Sequence, residues 1–382
     1  LFNLFFNNGT IIKFNYDSFW SCDLFENKMN VISKIFKDKK SLPLNTFIDK
    51  ALYNNKYGYY SKKNPMGIKG DFVTAPLVSE LFGEMLGIWC IAFWEKLGKP
   101  RNINIVEFGP GEGSLCMTLI KVFSRFKIFN NAFEINLLEK SKFLRKIQEK
   151  KIISKKVKWI KSIEEIKSKP TIFIANEFFD ALPIKQFLLK KNILHERFVK
   201  YVNERKLIFQ DKKANLNSIN YLIQLGLTKK QKIIEFPIES IKYLKSAAKI
   251  IKQHDGGMIC FDYGYKKIKM SNSLQSVKKH NYSKILSNVG NSDITHHVNF
   301  NLFSKIIKNL GLHLEGIIEQ GTFLQKMGII HRANILTKNA NFNVKADIYY
   351  RLKRLLDRNE MGQIFKVIFF KKKGVKFNLG FK

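Results

Sequence analysis

The fold is decided by the stretch Val106-Glu107-Phe108-Gly109-Pro110-Gly111-Glu112-Gly113-Ser114-Leu115. It follows an apolar run over residues 103–106 and precedes a segment, residues 115–126, with the apolar pattern of a helix. A strand that ends in an acidic residue and continues through a glycine-rich turn into a helix is typical of a nucleotide-type cofactor site. Glycines let the backbone turn tightly and approach a ligand without a Cβ, and the amide groups of the helix start face the bound molecule. A strand-to-helix turn with no ligand is the alternative.

The spacing of the glycines separates two classes of cofactor. A dinucleotide fingerprint, G-x-G-x-x-G/A, would begin at Gly109 and require Gly or Ala at position 114, where the chain has Ser114. The pattern Glu-x-Gly-x-Gly-x-Gly instead resembles motif I of S-adenosylmethionine-dependent methyltransferases. The turn therefore favours S-adenosylmethionine as the cofactor.

Composition limits the class of protein. A chain of 382 residues with 45% hydrophobic residues can bury a large core and is expected to be soluble and globular. The longest apolar stretch, residues 81–94, is interrupted by Glu84 and predicts a buried helix rather than a membrane span. The four cysteines are far apart, and His296 and His297 point apart on any regular element, which argues for a reducing compartment and against a metal site.

The formal net charge of +36 raises the possibility of nucleic-acid binding. The lysines are spread along the whole chain instead of forming one patch with interleaved aromatic residues. A diffuse excess of this kind indicates solubility and weak attraction to anions. We expect no specific nucleic-acid site, and methylation of RNA or another anionic substrate is the alternative enzyme hypothesis.

The pattern along the chain predicts three regions. Residues 1–28 lack the features of a signal or transit peptide and are interpreted as a disordered tail or gene-model extension before Met29. Residues 29–98 are helical with a turn-rich interruption at 56–70, and predict an N-terminal helical lid or substrate-facing region. Residues 99–382 predict the catalytic domain. The missing transit pattern favours a bacterial cytoplasmic location, or the mitochondrial matrix if the host is eukaryotic.

Strands and helices alternate from residue 102 onward, which is the signature of a parallel sheet. An insertion at about 184–237 carries short runs typical of an antiparallel ribbon followed by a short helix. The sequence therefore predicts an α/β fold of the class I methyltransferase (Rossmann-like) type: a seven-stranded, mostly parallel sheet whose last strand is antiparallel, an N-terminal helical extension and an inserted antiparallel β ribbon. The predicted strands are Ile103–Phe108, Phe133–Leu138, Val157–Ile160, Thr171–Ala175, Gly257–Phe261, Leu312–Ile318 and Ile364–Phe370.

Acidic and amide side chains follow several of these strands. Glu139 ends the second strand, where a carboxylate can accept two hydrogen bonds from a ribose diol, although Ser141 allows it to be a helix-start carboxylate instead. The fourth strand runs into Asn176-Glu177-Phe178-Phe179-Asp180. Glu177 is suited to holding a guanidinium through two hydrogen bonds, and Glu177 and Asp180 to removing its proton. In the alternative, both phenylalanines are core residues, Asp180 caps a helix and only Asn176 is functional.

Two later segments also lie at the predicted active edge. Phe261-Asp262-Tyr263-Gly264 ends the fifth strand, and Asp293-Ile294-Thr295-His296-His297 precedes a helix. His297 is a candidate proton acceptor or ordering group. In the alternative, Asp293 or Thr295 caps a turn.

With these residues assembled, the chain resembles the MidA family of class I methyltransferases. The matching blocks occur in family order from about Lys50 to Lys371. They are GDFVTAP (Gly70–Pro76), FGEMLGIW (Phe82–Trp89), VEFGPGEGSL (Val106–Leu115), LLEKSKFLRKIQ (Leu137–Gln148), NEFFDALPIKQF (Asn176–Phe187), FDYGY (Phe261–Tyr265), SLQSVKKH (Ser273–His280), DITHHVNF (Asp293–Phe300), QGTFLQKMGI (Gln320–Ile329) and MGQIFKV (Met361–Val367).

The resemblance implies S-adenosylmethionine binding and protein methylation. The residues it assigns to the cofactor are Glu107, Gly109, Gly111, Gly113 and Glu139, with Asn176 near the methyl group; we add Gly70 and Asp71. In the mitochondrial branch it implies methylation of an arginine in the large hydrophilic subunit of respiratory complex I during assembly. Two departures are Leu77, where the family usually has Glu, and Ser271-Asn272-Ser273-Leu274, where it usually has Gly-Asp-Thr-Leu.

The leading hypothesis is therefore a protein arginine N-methyltransferase with Glu177, Asp180, Asn176 and His297 as its catalytic residues and a protein as its substrate. A non-catalytic assembly chaperone that binds the cofactor only to order its surface is the alternative outside enzymology. A homodimer is compatible with the sequence.

Overall fold

The computed structural model describes residues 3–5, 11–13, 31–37, 39–62, 65–67, 70–71, 73–203, 205–228, 231–278 and 280–382, the first two segments as backbone only. Most of the predicted tail, residues 1–28, lies outside the described residues. The N-terminal elements are β1 (Asn3–Phe5), β2 (Ile11–Lys13), α1 (31–36), β3 (Ser41–Pro43), α2 (Leu44–Tyr53), α3 (Tyr59–Lys62), α4 (Ala75–Val78) and α5 (Glu80–Lys96).

The first half of the catalytic region alternates as predicted, with β4 (Ile103–Phe108), α6 (Ser114–Phe123), α7 (Lys127–Ala132), β5 (Phe133–Leu138), α8 (Lys142–Lys151), β6 (Val157–Ile160) and β7 (Thr171–Asn176). The insertion follows, with β8 (Lys185–Lys190), β9 (Ile193–Asn203), β10 (Lys206–Lys213), α9 (Leu216–Gln224) and β11 (Ile233–Phe236). The remaining elements are α10 (Ile238–His254), β12 (Gly256–Tyr265), β13 (Gln275–Lys278), β14 (Asn281–Ser283), β15 (Asp293–Thr295), β16 (Val298–Asn299), α11 (Phe300–Asn309), β17 (His313–Glu319), α12 (Gln320–Lys326), α13 (Ile329–Thr337), α14 (Phe342–Leu356), α15 (Met361–Ile364) and β18 (Phe365–Lys371).

The seven main strands of the central sheet have the order β17-β18-β12-β7-β4-β5-β6, and the two-residue strand β16 pairs in parallel with the end of β12 as an eighth. β18 is antiparallel to both of its neighbours, and the pairs from β12 through β6 are parallel. The predicted seven-stranded methyltransferase sheet with an antiparallel last strand is therefore confirmed. β4 and β7 are almost completely buried, because helices cover both faces of the sheet and both faces of these strands are apolar.

Helices pack on the two faces of the sheet and form two cores. On one face α5 and α6 bury Trp89, Phe93 and Phe123 against the strands, and on the other α10 and α11 bury Leu244 and Phe303. The predicted buried helix over residues 81–94 is thus confirmed as α5. Among the described residues, no helix is long and apolar enough to cross a membrane.

The insertion forms a second, smaller sheet. The predicted ribbon is confirmed as the antiparallel strands β8, β9 and β10, and the predicted short helix as α9. Two further strands complete this sheet: β11 pairs with β8, and β3 from the N-terminal region pairs with β9. β3 contradicts the helical pattern expected for this part of the N-terminal region. It could not be predicted, because a strand of three residues that ends in proline carries no recognisable periodicity.

A strict test of the sheet geometry is available at Gly256, the first residue of β12. Its φ is +125°, and an added Cβ would lie 1.9 Å from the carbonyl oxygen of Thr171 on β7. We expect Gly256→Ala to lower the free energy of unfolding by about 2–4 kcal/mol, because a strained φ and a backbone clash add together. Gly374→Ala is the matched control, since its φ is +90° but nothing lies within 4 Å of an added Cβ. Urea denaturation measures both, and equal losses would contradict the packing described for β7 and β12.

Candidate active site

The glycine turn joins β4 to α6 in a conformation that favours glycine. Gly109, Gly111 and Gly113 all have left-handed φ values, of +60°, +57° and +85°. A Cβ on Gly109 would lie 2.8 Å from the ring of Phe178, and one on Gly111 would lie 2.5 Å from the sulfur of Met66. The turn is therefore closely covered by the segment after β7 and by the N-terminal region.

A cleft with about 950 Å³ of empty space, part of it open to solvent, lies beside this turn. The carboxyl ends of β4, β5 and β7 form its floor, as expected for a parallel α/β sheet. Its walls come from the N-terminal region and from α10. The residues that line it include Tyr53, Tyr60, Met66, Thr74, Pro76, Leu77, Glu107, Gly109, Gly111, Ser114, Glu139, Lys140, Asn176, Glu177, Phe178 and Tyr243.

Most of the predicted site residues meet in this cleft. Glu107, Gly109, Gly111, Glu139, Asn176 and Glu177 line it. Five others do not line it. Gly113 is the N-cap of α6, and Gly70 and Asp71 lie in the loop between α3 and α4. Asp180 lies in the turn after β7, and His297 lies between β15 and β16. Their assignments to cofactor or catalysis stay predictions.

The residues outside the cleft have defined surroundings. The buried Asp71 carboxylate accepts a hydrogen bond from the Tyr59 hydroxyl at 2.5 Å. The ring of His297 packs edge-on against the ring of Tyr263, with the two ring centroids 4.2 Å apart. The backbone N–H of His297 donates to the Ser273 hydroxyl.

Glu107 is the most deeply buried of the four glutamates that line the cleft. Its side chain is 3% exposed, and Oε2 has no hydrogen-bond partner among the described residues. Burial, and secondarily the nearby Glu139 carboxylate, raise the pKa of Glu107 to about 8. A buried carboxylate oxygen without a partner costs free energy, so the position fits a hydrogen-bond donor supplied by a ligand.

Glu139 is held by the start of α8. Its Oε1 accepts from the Ser141 N–H at 2.7 Å and its Oε2 from the Gln148 amide at 3.3 Å. Burial raises its pKa to about 7, against the opposing effect of these hydrogen bonds. The helix-start contact expected in the alternative interpretation is therefore present, but Ser141 is the residue that caps α8, and Glu139 still faces the cleft.

Glu177 has an unusual backbone and a central position. Its φ of +51° is a strained value for a residue with a side chain, and its N–H donates to the Phe261 carbonyl on β12. Its Oε1 accepts from the Ala75 N–H at 2.9 Å and from the Asn176 amide at 3.2 Å. Burial raises its pKa to about 7. Strain held at a cleft residue indicates a position fixed for function.

The residues after Glu177 decide against the helix-cap alternative. No helix follows Asp180; residues 180–182 form a turn. Phe179 is a core residue as that alternative expected, but Phe178 lines the cleft. Burial, together with the charges of Asp262 and Glu177, raises the pKa of Asp180 well above its ordinary value.

Three tyrosines complete the wall of the cleft and were not assigned from the sequence. Tyr53 on α2 and Tyr60 on α3 stack with ring centroids 5.4 Å apart, and Tyr243 comes from α10. The Tyr53 hydroxyl donates to the Ala181 carbonyl, and that of Tyr60 to Asp293. The aromatic cluster Tyr57-Gly58-Tyr59-Tyr60 was the available signal, but nothing local shows that it faces residues more than 80 positions away.

Comparison with known families agrees with this geometry. The model of a family described as "Putative S-adenosyl-L-methionine-dependent methyltransferase" matches residues 85–318. The chain belongs to this family. The predicted enzyme class and cofactor are thereby confirmed: it is an S-adenosylmethionine-dependent methyltransferase.

The similarity to individual proteins extends over most of this methyltransferase. It is 30% identical to the "Protein arginine methyltransferase NDUFAF7, mitochondrial" of Danio rerio over 84% of its own length and 81% of the relative. It is 25% identical to the Homo sapiens protein of the same name, over 87% and 80%. The crystal structure of a Burkholderia thailandensis protein bound to S-adenosyl-homocysteine superposes with a TM-score of 0.77 at 20% identity, covering 97% of each chain.

The cleft of the methyltransferase also predicts how cofactor affinity depends on pH. With pKa values of about 8 for Glu107 and about 7 for Glu139, the two carboxyl groups predicted to contact the cofactor are each partly protonated near pH 7. Hydrogen-bond donors on a ligand favour the ionised forms, so the complex holds fewer protons than the free enzyme. S-adenosylhomocysteine affinity should therefore rise between about pH 6 and 8 and level off above, with net proton release. Calorimetric titration in buffers of different ionisation enthalpy measures this, and proton uptake would contradict it.

Proposed function

We propose that this methyltransferase methylates an arginine nitrogen in a protein, and that its substrate is the large hydrophilic subunit of respiratory complex I. The observation that carries the proposal is Glu177, a carboxylate inside the cleft beside Asn176, with a pKa of about 7. A carboxylate is the side chain that binds a guanidinium with two parallel hydrogen bonds. The names of the relatives support a protein arginine as the acceptor.

We assign the cofactor to the part of the cleft next to the glycine turn. Glu139 would hold the ribose, Glu107 would use its unpartnered oxygen on a donor of the cofactor, and Gly109 and Gly111 would allow the backbone to approach it. When bound, S-adenosylmethionine supplies an electrophilic methyl group on a sulfonium, which a nitrogen lone pair can displace.

The residues of the chain then have distinct tasks. Glu177 orients the guanidinium and accepts the proton that the nitrogen loses as it is methylated; a base with a pKa near the operating pH is the most effective. Asn176 donates one N–H to Glu177, which fixes the carboxylate, and directs its other groups into the cleft. The Ala75 N–H holds the start of α4 against the same carboxylate. Positioning of the two reactants supplies the larger part of the rate.

The location of the protein is a further part of the proposal. The curated relatives are mitochondrial by name, which favours the mitochondrial matrix over the bacterial cytoplasm for this chain. The homodimer and the domain boundaries at residues 28 and 98 stay predictions.

Complementation separates catalysis from a chaperone role. In cells that lack their own relative, the wild-type chain should restore both arginine methylation of the large hydrophilic subunit and assembled complex I. Glu177→Gln should restore neither. Assembly restored by a Glu177→Gln protein that binds S-adenosylhomocysteine but leaves the arginine unmethylated would contradict the catalytic proposal and favour the chaperone.

A further inference from the structure

Gln148 is a fully buried polar side chain directly behind the cleft. It lies on α8, and its relative exposure is 0%. Its amide nitrogen donates to the Gly111 carbonyl at 2.7 Å and to Glu139 Oε2 at 3.3 Å, and its amide oxygen accepts from the Trp159 indole N–H at 2.9 Å. One side chain therefore connects the glycine turn to the carboxylate at the end of β5.

The sequence of α8 places this glutamine where an apolar residue would be expected. The helix is strongly charged, and only Leu144 and Gln148, one turn apart, are buried. A buried amide costs free energy unless all of its groups are hydrogen-bonded. Here they are bonded, and two of the three partners belong to the cleft: Gly111 and Glu139 both line it.

Trp159 determines which way the amide faces. An indole N–H can only donate a hydrogen bond, so the Gln148 oxygen must point to Trp159 at the end of the strand β6. The NH₂ group is then directed at the two acceptors, the Gly111 carbonyl and Glu139. The opposite orientation would place the amide oxygen against a carbonyl and a carboxylate, which repel it. Arg145 over the Trp159 ring, at 6.0 Å, covers the outer side of this arrangement.

We propose that Gln148 is a positioning residue for the cofactor, which acts by fixing the Glu139 carboxylate and the glycine turn relative to each other. The inference rests on the assignment of Glu139 to the ribose proposed above. Gln148 does not line the cleft; its effect passes through the two groups that do. Trp159 serves the same purpose one step further out, because it holds the amide in the working orientation.

The test is the affinity for S-adenosylhomocysteine, measured by calorimetry on the full chain. Gln148→Met keeps the side-chain length and removes the hydrogen bonds, and it should weaken binding by about tenfold to 100-fold. Gln320→Met is the matched control: Gln320 is also fully buried, on α12, with its amide donating to the Leu355 carbonyl, and it lies outside the cleft. Its affinity should equal that of the wild type.

The pH profile separates positioning from a general loss of structure. Glu139 loses an N–H donor in Gln148→Met, which raises the pKa of that carboxyl further. The pH below which affinity falls should therefore move upward in Gln148→Met and stay in place in Gln320→Met. If Gln148→Met does not fold, Trp159→Phe replaces it. This change keeps an aromatic side chain but removes the indole N–H, which frees the amide to rotate. Affinity should then fall by several-fold.

Glu139→Gln distinguishes failure of this inference from failure of the proposed site. Weakened binding in Glu139→Gln with unchanged affinity and pH profile in both Gln148→Met and Trp159→Phe would overturn the role of Gln148 alone. Unchanged affinity in Glu139→Gln would remove the proposed ribose contact, and the role of Gln148 with it.

Discussion

Replacing Glu177 by glutamine is expected to lower the rate of methyl transfer by about 10²–10⁴-fold, the range measured when a general base is removed. The change keeps the size of the side chain and an oxygen that can accept from the Ala75 N–H, so the start of α4 should stay in place. What disappears is the charge that holds a guanidinium and the site that accepts its proton. The rate constant of methyl transfer, measured in single-turnover experiments at saturating S-adenosylmethionine, reports the effect.

Two controls tie this loss to chemistry. S-adenosylhomocysteine affinity should change by less than about threefold, or 0.7 kcal/mol, because Glu177 is assigned to the acceptor. The second control is stability: at pH 8 the free energy of unfolding of Glu177→Gln should not be lower than that of the wild type. The folded pKa of Glu177, about 7, lies above its ordinary value of 4.5, so ionisation costs stability as pH rises through that window, and glutamine removes the cost. A Glu177→Gln enzyme with wild-type turnover would exclude Glu177 as the base.

Gly109→Ala should abolish tight cofactor binding. The residue has a φ of +60°, and an alanine Cβ would lie 2.8 Å from the Phe178 ring. Phe178 is packed against Phe108, Phe179 and Tyr243, so it cannot move aside without disturbing the wall of the cleft. The turn must shift instead. We expect S-adenosylhomocysteine to bind at least about 100-fold more weakly, equivalent to roughly 2.7 kcal/mol.

Gly98→Ala is the control for backbone strain at a glycine that does not line the cleft. Gly98 has a φ of +85° in the loop before β4, and nothing lies within 4 Å of an added Cβ. Both variants pay for a left-handed alanine, about 1–3 kcal/mol of stability, but only Gly109→Ala alters the cleft. In calorimetric titrations with S-adenosylhomocysteine, Gly98→Ala should bind with wild-type affinity and Gly109→Ala with the weakened affinity. Equal affinities for Gly109→Ala and Gly98→Ala would place the cofactor elsewhere.

The centre of the sheet could be predicted from the sequence because β4, β5, β7 and β12 are buried on both faces over most of their length. β4, β5 and β6 have the predicted boundaries, since each is a short apolar run with a clear end. The small sheet of β13, β14 and β15 was not predicted. Its strands are polar and three or four residues long, and their pairing joins positions 275 and 295, which no local pattern reveals.

The site divides in the same way. The Glu107–Gly113 turn, Glu139 and Asn176–Glu177 could be recognised because each follows a strand, and parallel strands bring their carboxyl ends together. Tyr53, Tyr60 and Gln148 could not. Tertiary packing brings the two tyrosines to the cleft and Gln148 to the groups behind it. A glutamine in a lysine-rich helix carries no sign that it is buried. His297 and Asp71 show the reverse: both stand in informative motifs, and neither lines the cleft.

The central claim is that the cleft transfers a methyl group to a protein arginine, and mass spectrometry of the products tests it most directly. The purified chain, S-adenosylmethionine, the complex I large hydrophilic subunit and an RNA of matched concentration would be incubated together. Every new methyl group would then be assigned to a residue or a base. We predict methylation of an arginine guanidinium in the subunit, abolished by Glu177→Gln. Methyl groups on the RNA, or on a protein residue other than arginine, would contradict the account.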